Sequence, residues 1–338
     1  MTTEQLVAAR PITWPKVMWL RALSLPTVVI AALTALLCRE GWQALAPWGP
    51  LHQVRSAEFQ LAGPVVLGFV LVVFAIERRW PAQPRPALAR GHIVDAMYFG
   101  VHALIGVPIM VLAGTGFSTL LAHHAPWLVI PHVPAAPRAL FVVLAIIGID
   151  AFDWIAHYGS HRLNSLWRLH AVHHSQEELS ILTTFRTSPL VHFGFIITAI
   201  PVLVLAGNAA TPAELLTAFA CFGALPHANT KWSYGRLGRS IISPTYHRVH
   251  HRTSDRLDIN LGTIFTWWDR MSGRAIFPDL TAPVPPTGLG GRPIEVEQAT
   301  VRPHYFRLVG HQLVQPFTKA APPRASRTNA RTDLGELT

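Results

Sequence analysis

Eight histidines fall in three tight groups: His157 and His161 (HxxxH), His170, His173 and His174 (HxxHH), and His247, His250 and His251 (HxxHH again). On a helix, positions i, i+3 and i+4 share a face, so each HxxHH is expected to point three imidazoles at one spot, and HxxxH adds two more. Neutral imidazole is the commonest side-chain metal ligand and suits iron, zinc, copper and nickel. Eight such ligands exceed what one ion takes, so the pattern implies a pair of ions. His227, in Pro226-His227-Ala228-Asn229 at the end of an apolar run, is expected as a ninth ligand.

Helix spacing continues upstream from His157 to Asp153, with Asp150 a turn earlier, near the end of an apolar stretch. Buried acids there are costly, and Asp153 is expected to accept the N–H of a ligating histidine. Trp167 lies one turn before His170, and small or apolar Ala171 and Val172 separate the next histidines, so that helix is expected to rest partly at a membrane interface. Ser243-Pro244-Thr245 reads as the capped start of the third histidine helix. His192 lies near the same groups and is a weaker candidate. His52, His92, His102, His123, His124, His132, His304 and His311 have no ligand spacing. HExxH, the usual arrangement of a zinc hydrolase, is absent.

These side chains sit in an apolar chain. Half of its 338 residues are hydrophobic, only 14% are charged, and the mean hydropathy is +0.31. A soluble domain carries about a quarter charged residues. Apolar runs at roughly Ala22–Cys38, Leu61–Ile76, Ala96–Ala122, Ala139–His157, Leu190–Ala206 and Pro212–Pro226 suggest membrane crossings, although the second and last are short of the ~20 residues that span hydrocarbon. The formal charge of +10 follows the positive-inside rule rather than nucleic-acid binding. Arg78, Arg79, Arg85 and Arg90 lie in one loop, and His123–Pro137 holds no lysine or arginine. Six crossings with both termini cytoplasmic satisfy the loops. Two crossings separate the second and third histidine groups, so all three reach one face. No cleavable signal is evident, and the two cysteines, Cys38 and Cys221, are too few for a disulfide framework or a cluster site.

The expected fold is all-α: a polytopic transmembrane helical bundle with a cytosolic histidine-rich dimetal cap. The expected organisation is a polar lead (1–21), transmembrane hairpins (22–149), a histidine domain (150–274) interrupted by a membrane hairpin (190–226), and a Pro/Gly-rich tail (275–338) with a disordered end.

The segments Leu166-Trp-Arg-Leu-His170-Ala-Val-His173-His174-Ser175, His227-Ala-Asn229, Tyr246-His247-Arg-Val-His250-His251, Asp258-Ile-Asn260-Leu-Gly262 and Trp268-Asp269-Arg270-Met-Ser-Gly273 occur in this order between about Asp150 and Gly273. This arrangement resembles the fatty acid hydroxylase/sterol desaturase superfamily. The resemblance implies two iron ions (with zinc compatible in purified material), O2 as co-substrate, and hydroxylation or desaturation at an unactivated C–H bond of a lipid drawn from the bilayer. It implies no catalytic side chain beyond the metal centre. Asp258, within the D-I-N-L-G motif, joins Asp153 as a candidate outer partner of the ligands. The chain departs from the family at Arg186-Thr-Ser188-Pro189-Leu-Val191, where Ser188 and Val191 replace a histidine and a glutamate often found there. With no dinucleotide fingerprint and no cluster cysteines, a separate electron donor or reductase is implied. A bacterial-type inner membrane is the expected location. A non-redox zinc-dependent membrane enzyme is the alternative. Substrate identity and oligomeric state are open at this point.

Overall fold

The computed structural model describes residues 24–61, 63–86, 89–128, 138–191, 196, 213–253, 256–289 and 305–317. Over these, the chain is helical and contains no strands, as expected from the sequence. We number the helices α1 (Leu25–Leu45), α2 (Pro50–Leu61), α3 (Pro64–Arg79), α4 (Arg90–Val101), α5 (Val107–His124), α6 (Arg138–Arg162), α7 (Asn164–His174), α8 (Ala213–Ala224), α9 (Pro244–His251), α10 (Trp267–Met271) and α11 (Tyr305–Val314). A five-residue π-helical segment, His102–Gly106, joins α4 to α5 in one continuous path.

Among the described residues, three helical stretches are long and apolar enough to cross a membrane: Leu25–Trp48, Arg90–His124 and Val142–Arg162. Six crossings were expected. The helix α3, with 16 residues, is about 24 Å long and α8, with 12, about 18 Å at 1.5 Å per residue. Both fall short of the ~30 Å hydrocarbon core. Most of the Leu190–Ala206 run, with His192, lies outside the described residues, as do the 1–21 lead and the end of the tail.

Five helix ends meet at one face of the bundle. Near the start of α1, Ile30 packs with Leu169 and Val191. The end of α3 presents Glu77, whose Oε2 accepts the Ile181 and Asn229 amides. At the start of α4, the Gly91 amide donates to Glu178. α6 ends in His157 and His161, and α8 runs into His227. Thus α1 and α4, continued by α5, lead away from this face, and α3, α6 and α8 return to it.

Glycine sets the closest approach in the bundle. A Cβ built on Gly41 would meet the Leu112 carbonyl at 1.8 Å, and one on Gly116 would meet the Leu37 carbonyl at 2.0 Å. Each glycine faces the carbonyl four residues before the other, the symmetry of two helices crossing in parallel. Small residues permit such backbone contact in lipid, where packing rather than water exclusion drives association. The α3 stripe Val66, Val70, Val73 has 4,3 spacing and packs on Ile181, Phe185, Ala224 and Ala228. The outer helix α11 seats Val309 on Val94, Tyr98 and Val172, and the chain after it returns to α1, where the Phe317 carbonyl accepts the Ser24 amide at 2.6 Å.

Candidate metal centre

Helix α6 carries His157 and His161 one turn apart, and the chain reverses at Leu163 to start α7. α7 carries His170, His173 and His174. Its residues from Trp167 to His174 are buried except for half-buried Arg168, so it is a core helix rather than an interfacial one. The helix α9 starts as its sequence implies: the Ser243 hydroxyl accepts the Tyr246 amide and Pro244 occupies the first turn.

The nine histidines form two buried groups. His157, His161, His170, His174 and His250 make one, and His173, His227, His247 and His251 make the other; within each, ring nitrogens lie within 4.8 Å of one another. This corrects the expectation that each HxxHH serves one spot. The i and i+4 rings of α7 (His170, His174) enter the first group, and the i+3 ring (His173) enters the second. α9 does the reverse: His247 and His251 enter the second group and His250 the first. At 100° per residue, i+3 and i+4 diverge by 100° around the axis, so a helix seated between two centres serves both. The groups touch, with His174 and His251 stacked at 4.6 Å between centroids.

The nitrogen geometry fits shared ions. His157 Nε2 lies 3.1 Å from His170 Nε2, which lies 3.2 Å from His174 Nε2. In the second group His227 Nε2 is 3.0 Å from His173 Nε2 and 3.1 Å from His247 Nε2, and His251 Nε2 is 3.2 Å from His247 Nε2. Two ligands on one ion at ~2.0–2.1 Å sit about 2.9–3.4 Å apart, depending on the angle. A ring proton on His170, His227 or His247 can serve one of its two close neighbours and leaves the other facing a lone pair. An ion at the centre satisfies all of them. Two tautomers are set from outside: His157 Nδ1 donates to the Leu261 carbonyl at 2.7 Å and His250 Nδ1 to the Ile259 carbonyl at 2.8 Å. Their Nε2 lone pairs are therefore free to bind. His250 Nε2 and both His161 nitrogens are buried with no protein partner among the described residues.

The rings are held neutral. Burial, then neighbouring rings, keeps His170, His174, His247 and His251 well below the ordinary histidine value. Burial brings His227 down to about 4. Trp167 closes the first group, its ring 5.4 Å from His161 and 5.5 Å from His174.

The loop Ile259–Phe265 supplies the two carbonyls, and three acids hold it. Asp150 accepts the amides of Ile264 and Phe265 and the Trp268 indole. Asp269 accepts the Leu261 and Gly262 amides, the Trp154 indole and the Tyr246 hydroxyl. Asp153 accepts the Thr263 hydroxyl, not a histidine N–H. Asp258 bonds Arg162 and Arg274 at the rim. Backbone carbonyls therefore take the place expected for Asp153 and Asp258, because the acids bind the loop rather than the rings. Asn260 allows this turn: it adopts φ 53°, and its side chain bonds the Tyr246 and Ile276 backbone.

Sequence reasoning passed over two further acids. Asp95, fully buried on α4, pairs with Arg186 and also accepts from Gln176 and Thr183. Glu77 holds the Asn229 amide, and Asn229 in turn accepts from Arg248, which sits between the α9 histidines. Burial lowers Arg248 only to about 10, so it stays cationic. The available signal was an acid at the edge of an apolar run, as at Asp150.

Residues 142–274 match the family described as Fatty acid hydroxylase. These matches support the resemblance of the histidine domain to the fatty acid hydroxylase/sterol desaturase superfamily. An alkylglycerol monooxygenase of Danio rerio is 33% identical over 135 residues, which cover 38% of this chain and 29% of that protein. An ornithine lipid hydroxylase, OlsE, of Rhizobium tropici is 28% identical over 219 residues, 62% of this chain and 65% of the relative. The human alkylglycerol monooxygenase is 27% identical over 134 residues, 38% and 29% of the two chains. The chain thus spans less than two thirds of each of these relatives. No solved structure matches.

Proposed function

We propose that the chain is a membrane-bound, O2-dependent hydroxylase of a lipid, with a pair of iron ions held by the nine histidines. The observation that carries this reading is the division of nine buried imidazoles into adjacent groups of five and four. The named relatives are lipid monooxygenases and hydroxylases. When bound, a redox-active metal pair supplies the O2 chemistry needed to attack an unactivated C–H bond, which no side chain achieves. His157, His161, His170, His174 and His250 would hold one ion, and His173, His227, His247 and His251 the other.

The chain's own residues set the conditions for that chemistry. The Ile259 and Leu261 carbonyls fix the tautomers of His250 and His157 and aim their Nε2 atoms inward. Trp167 and the burial of all nine rings shield the ring nitrogens from bulk solvent. Among the described residues, neither ligand group includes a carboxylate. The lipid enters from the bilayer, electrons come from a separate donor, and the histidine face is cytoplasmic in this reading.

The test is iron loading of the purified protein in nanodiscs, followed by O2 uptake with a chemical reductant and lipid mass spectrometry. A gain of about 16 mass units in a lipid, lost when His250 and His251 are both replaced by alanine, is the expected result for oxygen insertion. A loss of about 2 mass units would establish desaturation instead. Two tightly bound ions with no O2 uptake across reductants and lipid extracts would overturn the reading.

A further inference from the structure

Two short segments form a patch that the metal centre does not use. The 3₁₀ turn Gly235–Arg239 leaves Leu237 66% exposed, and α10 leaves Met271 80% and Trp267 37% exposed. They are joined: the Arg239 carbonyl accepts the Thr266 hydroxyl and the Arg270 guanidinium, and Ile241 pairs with Phe265. The same segments carry Arg236, Arg239 and Arg270, all exposed, and exposed Lys231 lies just before the first of them in sequence. The two segments hold one acid, Asp269, which is buried and occupied by four donors.

The patch has a fixed height on the bundle. α10 is pinned to α6 by Trp268 bonding Asp150 and by Trp154 bonding Asp269. At 1.5 Å per residue, Trp154 lies about 12 Å and Asp150 about 18 Å before the end of the span at Arg162. α10 therefore lies alongside the span, deeper than the histidines, in continuity with the lipid-facing surface of α6 that carries half-exposed Ile155. Arginine and lysine at that depth keep their charge only by reaching headgroups, with their stems along apolar surface.

We propose that this patch docks on the anionic headgroups of the leaflet at the histidine face, with Leu237, Trp267 and Met271 entering the interface and Arg236, Arg239 and Arg270 binding lipid phosphate. Three arginines with no exposed acid in these segments, and Lys231 just before the first, suit an anionic surface. The membrane surface then lies near Trp154, and the histidine groups stand about one to two turns above it. The docking is independent of which reaction the metal centre performs.

The test uses the full chain with nitroxide labels at Leu237→Cys or Met271→Cys in a Cys38→Ala/Cys221→Ala background. Collision rates with O2 and with a water-soluble nickel chelate are read in vesicles of phosphatidylcholine, with and without phosphatidylglycerol. In phosphatidylglycerol both labels should favour O2, and the R236Q/R239Q/R270Q variant should shift them toward water by about threefold or more. Salt at ~1 M, where the screening length is about 3 Å, should do the same. Water-like labels in the unsubstituted protein would overturn the proposal. Equal burial in both lipids, unchanged by the substitutions, would overturn its electrostatic part. Label-free mass spectrometry of the purified protein provides a second reading: selective retention of phosphatidylglycerol by the parent and its loss in the triple variant supports docking, and no selectivity refutes it.

Discussion

His250 and His251 are neighbours in the chain yet face different ligand groups. Replacing either by alanine should therefore lower bound metal by a different ion. Each single variant should keep about one ion per chain and the pair none, as read by elemental analysis after chelator challenge. Asp269 acts at one remove. Asp269→Asn presents an NH2 to groups that themselves donate, at a cost of about 1–3 kcal/mol for the unsatisfied partner. It should loosen the Leu261 carbonyl and deplete the five-histidine ion first, visible as altered d–d bands of the cobalt-loaded protein. Acid should act on the metal-free protein in a defined direction. His227 titrates at about 4 when folded and near 6.5 when unfolded, so below pH ~6.5 the unfolded chain binds the extra proton. Stability is then fully present above that pH and falls toward pH 4, by about 3 kcal/mol for this ring alone. A flat profile of melting temperature from pH 7 to 4.5 would contradict the neutral, buried cluster.

At the scale of elements, the histidine helices were readable because their start signals are local. Ser243 caps α9 through a hydroxyl that the sequence places next to Pro244. The partition of each HxxHH was not readable, because it depends on where a second helix lies. The acids were half readable: burial of Asp150 and Asp153 follows from their apolar surroundings, but their partners are loop amides and a hydroxyl 110 or more residues away. Helix pairing makes its own prediction. Gly116→Leu places side chain where the Leu37 backbone stands. It should separate α1 from α5 and lower the melting temperature of the detergent-solubilised protein strongly, with a cost above the 1–3 kcal/mol of ordinary overpacking. Gly100→Ala, which meets nothing within 4 Å, should leave it unchanged.

For the whole molecule, the histidines tie together α6, α7, the end of α8 and α9. An ion held by rings from several elements stabilises the folded state alone, by an amount that grows with its binding affinity. Removing metal with a strong chelator should therefore lower the melting temperature, and re-addition of iron or zinc should restore it. The Arg186–Asp95 pair, both side chains fully buried, links α4 to the chain after α7 without metal. Arg186→Met should cost about 3–5 kcal/mol by stranding Asp95, and metal should not rescue it.

The sequence alone pointed to metal-ligating histidines, to an apolar helical fold and to the gathering of those histidines in one place. These follow from residue type, short spacing and apolar composition, all local properties of the chain. Only the tertiary structure decided which imidazole joins which group, that carbonyls rather than carboxylates orient His157 and His250, and that Asp95 and Glu77 are structural anchors. Each of these depends on the relative position of segments far apart in sequence, which is set by how the helices pack and not by what any one of them contains.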